Sequence, residues 1–95
     1  MKLKWTGPAL RDLEEIGDWI ARDNPAAASR TVNRLFDQAE ALARHPDMGR
    51  AGRVPGTREL VFADIPYILR YRVRGETVEI LAVFHGTRRW PEGFG

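Results

Sequence analysis

The chain is 95 residues long, 43% apolar and free of cysteine. That is the length of one domain with material for a small core, and it excludes disulfides and thiolate metal sites. No run approaches the roughly 20 continuous apolar residues of a membrane span, and Lys4, Gly7 and Pro8 interrupt the start where a signal peptide would be apolar, so the chain reads as cytoplasmic with no membrane partner. The net charge of +2 arises wholly in the second half, with seven basic against seven acidic residues in 1–46 and eight against six in 47–95, a bias too slight for a dedicated nucleic-acid binder.

Leu3 and Trp5 alternate with Lys2 and Lys4 and predict a short first strand. Thr6, Gly7 and Pro8 then supply a cap and a first-turn proline for a helix whose apolar stripe is Leu10, Leu13, Ile16 and Ile20, with Trp19 at its margin. Arg11, Asp12, Glu14, Glu15 and Asp18 fill the opposite, solvent side. Asn24 caps a second helix with Pro25 at its first position. Ala28, Val32, Leu35, Ala39 and Leu42 form its stripe, widened by Phe36 and Ala43. His45-Pro46 ends it, because the residue before proline is pushed out of the α region. So short a link makes the two helices antiparallel neighbours.

Residues 46–57 (PDMGRAGRVPGT) hold three glycines and two prolines and read as an irregular loop that displays Arg50 and Arg53. Three β-rich runs follow, at 58–62, 67–73 and 77–85. A two-residue turn at Arg74-Gly75 would set Tyr71 against Val78, Leu69 against Ile80 and Tyr67 against Ala82. Tyr67, Leu69, Tyr71, Val73, Val78, Ile80, Ala82 and Phe84 then share the face that the helices cover. Ile68, Arg70, Arg72, Thr77, Glu79, Leu81, Val83 and His85 share the other, with Arg70 opposite Glu79. Mixed cationic and aliphatic character on an uncovered face marks a binding surface. The fold class expected is α+β: a short N-terminal strand, an antiparallel helical hairpin, and a three-stranded antiparallel sheet with one partly open face.

Few residues point to chemistry. His85 at a strand end, followed by Arg88 and Arg89, pairs a proton-transfer group with guanidiniums suited to phosphate, although a lone histidine there is more often structural. Taken alone, Trp90-Pro91 reads as an apolar plug. Arg50, Arg53 and Arg58 surround a glycine-rich loop, but no strand precedes it and no helix starts from it, so a phosphate-binding P-loop is excluded. Ser29, the single serine, lies in a helix with no histidine at helical spacing, which argues against serine hydrolase chemistry. The carboxylates are scattered, and neither a metal nor a cofactor is expected.

Six segments in order resemble the toxins of bacterial type II toxin–antitoxin systems, in the RelE/ParE superfamily. They are residues 9–16 (ALRDLEEI), 24–28 (NPAAA), 45–50 (HPDMGR), 54–60 (VPGTREL), 66–73 (PYILRYRV) and 78–85 (VEILAVFH) leading into Arg88-Arg89-Trp90-Pro91. Within the superfamily, RelE-like members cut messenger RNA in the ribosome and ParE-like members inhibit DNA gyrase. The strand at 66–73 and the Trp90-Pro91 ending look more like the ParE branch. RelE-like catalysis uses basic residues and a C-terminal tyrosine; here the matching positions are Ile68 and Phe94, while Arg88 matches and His85 is common to both branches. The resemblance therefore implies a gyrase inhibitor rather than an enzyme, neutralised in a hetero-oligomer by a ParD-like antitoxin and meeting operator DNA only through it. It implies target contact through Arg88, Arg89, Trp90, Pro91 and Phe94. Antitoxin contact is expected at Arg11, Arg30 and Arg34 on the helices and at Ile68, Arg70, Leu81 and Val83 on the open face. The alternative is a ribosome-dependent endoribonuclease with Arg72, His85 and Arg88 around the scissile phosphate.

Overall fold

The computed structural model describes residues 1–86, and the segment 87–95 lies outside the described residues. The order is β1 (Lys2–Trp5), α1 (Gly7–Ala21), α2 (Pro25–Arg44), β2 (Arg50–Ala51), β3 (Arg58–Val61), β4 (Tyr67–Arg74) and β5 (Thr77–His85). Local chemistry starts both helices where expected. The Thr6 hydroxyl accepts the Ala9 N–H at 3.4 Å, and Asn24 Oδ1 accepts the Ala27 N–H at 3.0 Å. Each helix carries proline in its first turn, where no intrahelical N–H is lost.

The stripe of α1 is rotated from expectation. Leu10 is 46% exposed, and Ala9 is fully buried in its place. Positions 9, 13, 16 and 20 form the inward face, and a small residue at 9 lets the first turn lie close to the sheet. Trp19 is also solvent-facing, with the Arg22 guanidinium 5.3 Å over its ring. Along α2, Ala28, Leu35, Ala39 and Leu42 are buried as the pattern required.

The sheet has five strands in the order β1-β5-β4-β3-β2. It is therefore mixed, and wider than the three antiparallel strands expected. β1 runs parallel to β5, with Leu3 opposite Val78 and Trp5 opposite Ile80, so its two apolar side chains extend the core. On the other edge, Arg50 and Ala51 pair with Glu59 and Arg58. Two residues are enough for such a bridge even in a loop rich in glycine and proline.

The β4–β5 register differs from the sequence-based one in two ways. The turn is Gly75-Glu76, with Arg74 opposite Thr77, because the left-handed φ of +62° at the first turn position falls on Gly75. Further along, Tyr71 faces Ile80 but Arg70 faces Ala82, so Leu81 is the extra residue of a β-bulge. Beyond the bulge the alternation is inverted. Val83 and His85 turn towards the helices opposite Leu69 and Tyr67, while Ala82 and Phe84 join Arg70 and Ile68 on the far face. Arg70 consequently does not meet Glu79; Arg72 does. Asp12, assigned to solvent from its helical position, instead accepts the Val83 N–H at 3.0 Å.

The core joins Leu13, Leu35 and Leu42 of the helices to Leu69, Tyr71, Val78 and Ile80 of the sheet, with Leu60 and Phe62 closing one side. Tyr71 is fully buried, and its hydroxyl donates to the Pro46 carbonyl at 2.7 Å and accepts the Gly49 N–H at 2.9 Å. A Cβ at position 49 would lie 2.6 Å from that oxygen, so glycine is required there. Leu69 is equally buried, in the centre of this contact set. Replacing it with alanine removes apolar contacts and leaves a cavity, at a cost of about 2–5 kcal/mol. A denaturant or thermal melt of Leu69→Ala indistinguishable from the parent would refute this packing.

Candidate functional site

The face of the sheet turned away from the helices is where charge concentrates. Its cross-strand rows can be read from the pairing. One row runs Lys4, Glu79, Arg72 and another Arg70, Glu59, Arg50, so in each a carboxylate sits between two cations. A third row, Lys2, Thr77, Arg74, holds cations with no acid between them. At the opposite end the row Val61, Ile68, Phe84 is apolar. The face thus grades from cationic near the Gly75 turn to apolar near Phe84.

Both carboxylates lie beneath arginine side chains. Glu59 is 1% exposed and accepts the Arg53 N–H at 3.2 Å and an Arg70 guanidinium N–H at 3.3 Å, with Arg50 at 3.7 Å from its other oxygen. Burial pushes its carboxyl upward, but the hydrogen bonds from Arg53 and Arg70 and their charges outweigh this and hold it below the ordinary 4.5. Glu79 accepts from Arg72 at 2.6 Å and Arg74 at 3.2 Å, and the Arg72 bond is the main reason that its carboxyl is also lowered. Arg53 and Arg70 both lie over the Phe84 ring, at 5.6 and 4.8 Å, so one aromatic and one carboxylate hold two guanidiniums in place.

Several expected contact residues are placed differently. Ile68 and Val83 are 5% and 3% exposed and offer no surface, Val83 because the bulge turns it inward. Leu81 is half-buried in the bulge. Arg70 is on the open face but engaged with Glu59. Arg34 makes a two-point bond to Asp64 at 2.8 and 3.2 Å, tying α2 to the β3–β4 connection. Arg11 and Arg30 remain exposed on the helices. Arg88, Arg89, Trp90, Pro91 and Phe94 lie outside the described residues.

The nuclease set does not assemble in its described part. Arg72 sits opposite Glu79 on the open face, whereas His85 sits opposite Tyr67 on the helix side, edge-on to its ring at 5.4 Å. Six residues of β5 separate those two pairing positions, roughly 20 Å of strand. Among the described residues no group of histidines and carboxylates could hold a metal, and no helix is long and apolar enough to cross a membrane. Sequence reasoning missed Glu59 as the hub of the arginines; its strand partner was not registered, and the alternation in 58–62 was the signal available.

Glu59, Glu79 and Asp64 all have lowered carboxyls, so their stabilisation is complete above the ordinary carboxylate range and is lost as pH falls through the depressed values. Glu59→Gln is expected to be less stable at neutral pH and to lose less melting temperature on acidification below 4.5 than the parent does. Parallel acid limbs for the two proteins in a series of melts would contradict the role given to Glu59.

Residues 3–90 match the family described as the ParE toxin of the type II toxin-antitoxin system, parDE. The chain is 50% identical to Y4kP of Sinorhizobium fredii over 91 residues, covering 96% of this chain and 94% of that protein. It is 40% identical to toxin RelE2 of Caulobacter vibrioides over 84 residues, or 88% and 93% of the two chains. A solved structure of a chromosomal ParDE toxin–antitoxin system from P. aeruginosa superposes with a TM-score of 0.79 at 32% identity, covering 90% of this chain and 95% of that one. With the two-helix, mixed-sheet architecture common to both structures, the chain belongs to the ParE toxin family of type II toxin–antitoxin systems, within the RelE/ParE superfamily.

Proposed function

We propose that this toxin arrests growth by poisoning DNA gyrase and is neutralised by a ParD-like antitoxin. The observation that carries the choice of target is the separation of Arg72 from His85, on opposite faces of the sheet, with the β5 partner of Arg72, Glu79, six positions from His85. Cleavage of RNA through its 2′-hydroxyl needs a base for that proton, cations at the charged phosphorane and an acid for the leaving oxygen, all within hydrogen-bond reach of one phosphate. Arg72 and His85 cannot touch the same phosphate, and Phe94 has no hydroxyl to donate. An inhibitor that traps its target needs none of this, only a surface. The segment carrying Arg88, Arg89, Trp90, Pro91 and Phe94 supplies cations and aromatics for such a contact.

The antitoxin reading is supported by the P. aeruginosa neighbour, which comes from a ParDE system, and by the cationic rows of the open face. A segment disordered before binding offsets its ordering cost by wrapping a large, charge-complementary surface. Exposed Arg11 and Arg30 on the helices, with Arg72 and Arg74 on the sheet, are the contacts this reading uses.

Purified protein is expected to block supercoiling by gyrase and to leave ribosome-bound message intact. His85→Ala should change growth inhibition little, whereas removal of residues 89–95 should abolish it. Cleavage of message in codon register, lost on His85→Ala, would replace the gyrase reading with the ribosomal one. For the partner, charge reversal at Arg11 or Arg30 should weaken co-purification with the antitoxin; full recovery of the complex with both reversed would move the interface elsewhere.

A further inference from the structure

β5 carries one residue more than β4 can match, and the excess is Leu81. In the regular part of the strand the Ile80 carbonyl points away from β4, where it accepts from the N–H and hydroxyl of Thr6 at 3.1 and 2.7 Å. The bulge then turns the Val83 N–H to that same edge. β1 no longer covers this edge, since its last residue, Trp5, lies opposite Ile80. Val83 is 3% exposed, so water does not serve its N–H either. Asp12 of α1 does, at 3.0 Å.

A second arrangement of the same strand is self-consistent. Without the bulge the alternation would continue, the Val83 N–H would turn back to β4, Phe84 would face the helices, and His85 would join the cationic face. That is the pairing which a period-two pattern specifies by itself. The two registers differ in whether a buried N–H is presented at the outer edge, and one carboxylate stands there to accept it.

We propose that Asp12 is a positioning residue that selects the bulged register of β5. It thereby places Phe84 beneath Arg53 and Arg70, sets His85 against Tyr67, and fixes the anchor at Gly86, whose N–H donates to the Pro66 carbonyl at 2.7 Å and from which residues 87–95 continue. The consequence for target contact rests on the gyrase reading; the register itself does not.

The test is cross-strand nuclear Overhauser contacts in the full chain and in Asp12→Asn and Asp12→Ala, with a gyrase supercoiling assay on the same samples. The parent and Asp12→Asn, which keeps an acceptor oxygen, should show Leu69 against Val83 and Tyr67 against His85. Asp12→Ala should lose both and show Leu69 against Ala82 and Tyr67 against Phe84, with loss of gyrase inhibition. If Asp12→Ala does not fold, Val83→Pro is added to it. This removes the N–H that Asp12 serves, and proline at 83 loses no ladder bond only when that position faces the outer edge, so folding and the original contacts should return. Unchanged contacts in Asp12→Ala, or failure of Val83→Pro to restore them, overturns the proposal. A switched register with undiminished inhibition removes the positioning role. Absence of gyrase inhibition by the parent sinks the gyrase reading and leaves the contact measurements to decide the register.

Discussion

The phenol of Tyr71 is the constraint on which the open face depends. Its ring occupies the centre of the core, and its hydroxyl meets the chain just after α2, holding the Pro46 carbonyl and the Gly49 N–H together. Burial pushes the phenol's titration upward, so the proton that it donates to Pro46 is retained. From Gly49 the order propagates outward. The Gly49 carbonyl receives the Arg58 guanidinium at 2.7 Å, and Arg50, the next residue, pairs with Glu59. A loop whose composition favours disorder thus becomes the edge of a sheet, because one core side chain reaches it from below.

The face that results is cationic without being loose. Glu59 and Glu79 organise the arginines around them, and the aliphatic stems of those arginines shield the acids from water. Each carboxylate lowers the net charge of its row but removes rotamer freedom that a partner would otherwise have to remove on binding. Arg53 and Arg70 gain further restraint from Phe84. The antitoxin segment proposed above would meet guanidiniums already held in position, next to the exposed side chain of Val61.

What could be read from sequence alone divides along range. The helix caps at Thr6 and Asn24, the first-turn prolines and the stop at His45-Pro46 are decided by neighbours within a turn, and all were legible. Tyr67, Leu69 and Tyr71 of β4, together with Val78 and Ile80, were legible because one face is buried and the period is two, whereas Ile68 is buried on the far face and Val73 is exposed near the turn. The bulge was not, since its partner Asp12 is 71 residues away on an element of different periodicity. That single omission put Phe84 in the core, and Val83 and His85 on the surface. Leu10 failed for a related reason: its spacing fits a helical stripe, but the sheet needs the smaller Ala9 at the closest approach. The arginine hub stayed hidden because Glu59 gains its meaning only from strands on both sides.

The union of β1 with β5 joins the two ends of the described chain, Thr6 meeting Ile80 across 74 residues of sequence. Such a contact costs loop-closure entropy and cannot form until both strands exist. During synthesis, β1 and the helical hairpin leave the ribosome long before β5, and until β5 arrives β4 has only β3 beside it. The central strand of the finished sheet is then an open edge, with Leu69 and Tyr71 uncovered on one side. A chain truncated before β5 would lack the strand that lies between β1 and β4, so the sheet described here cannot form without residues 77–85.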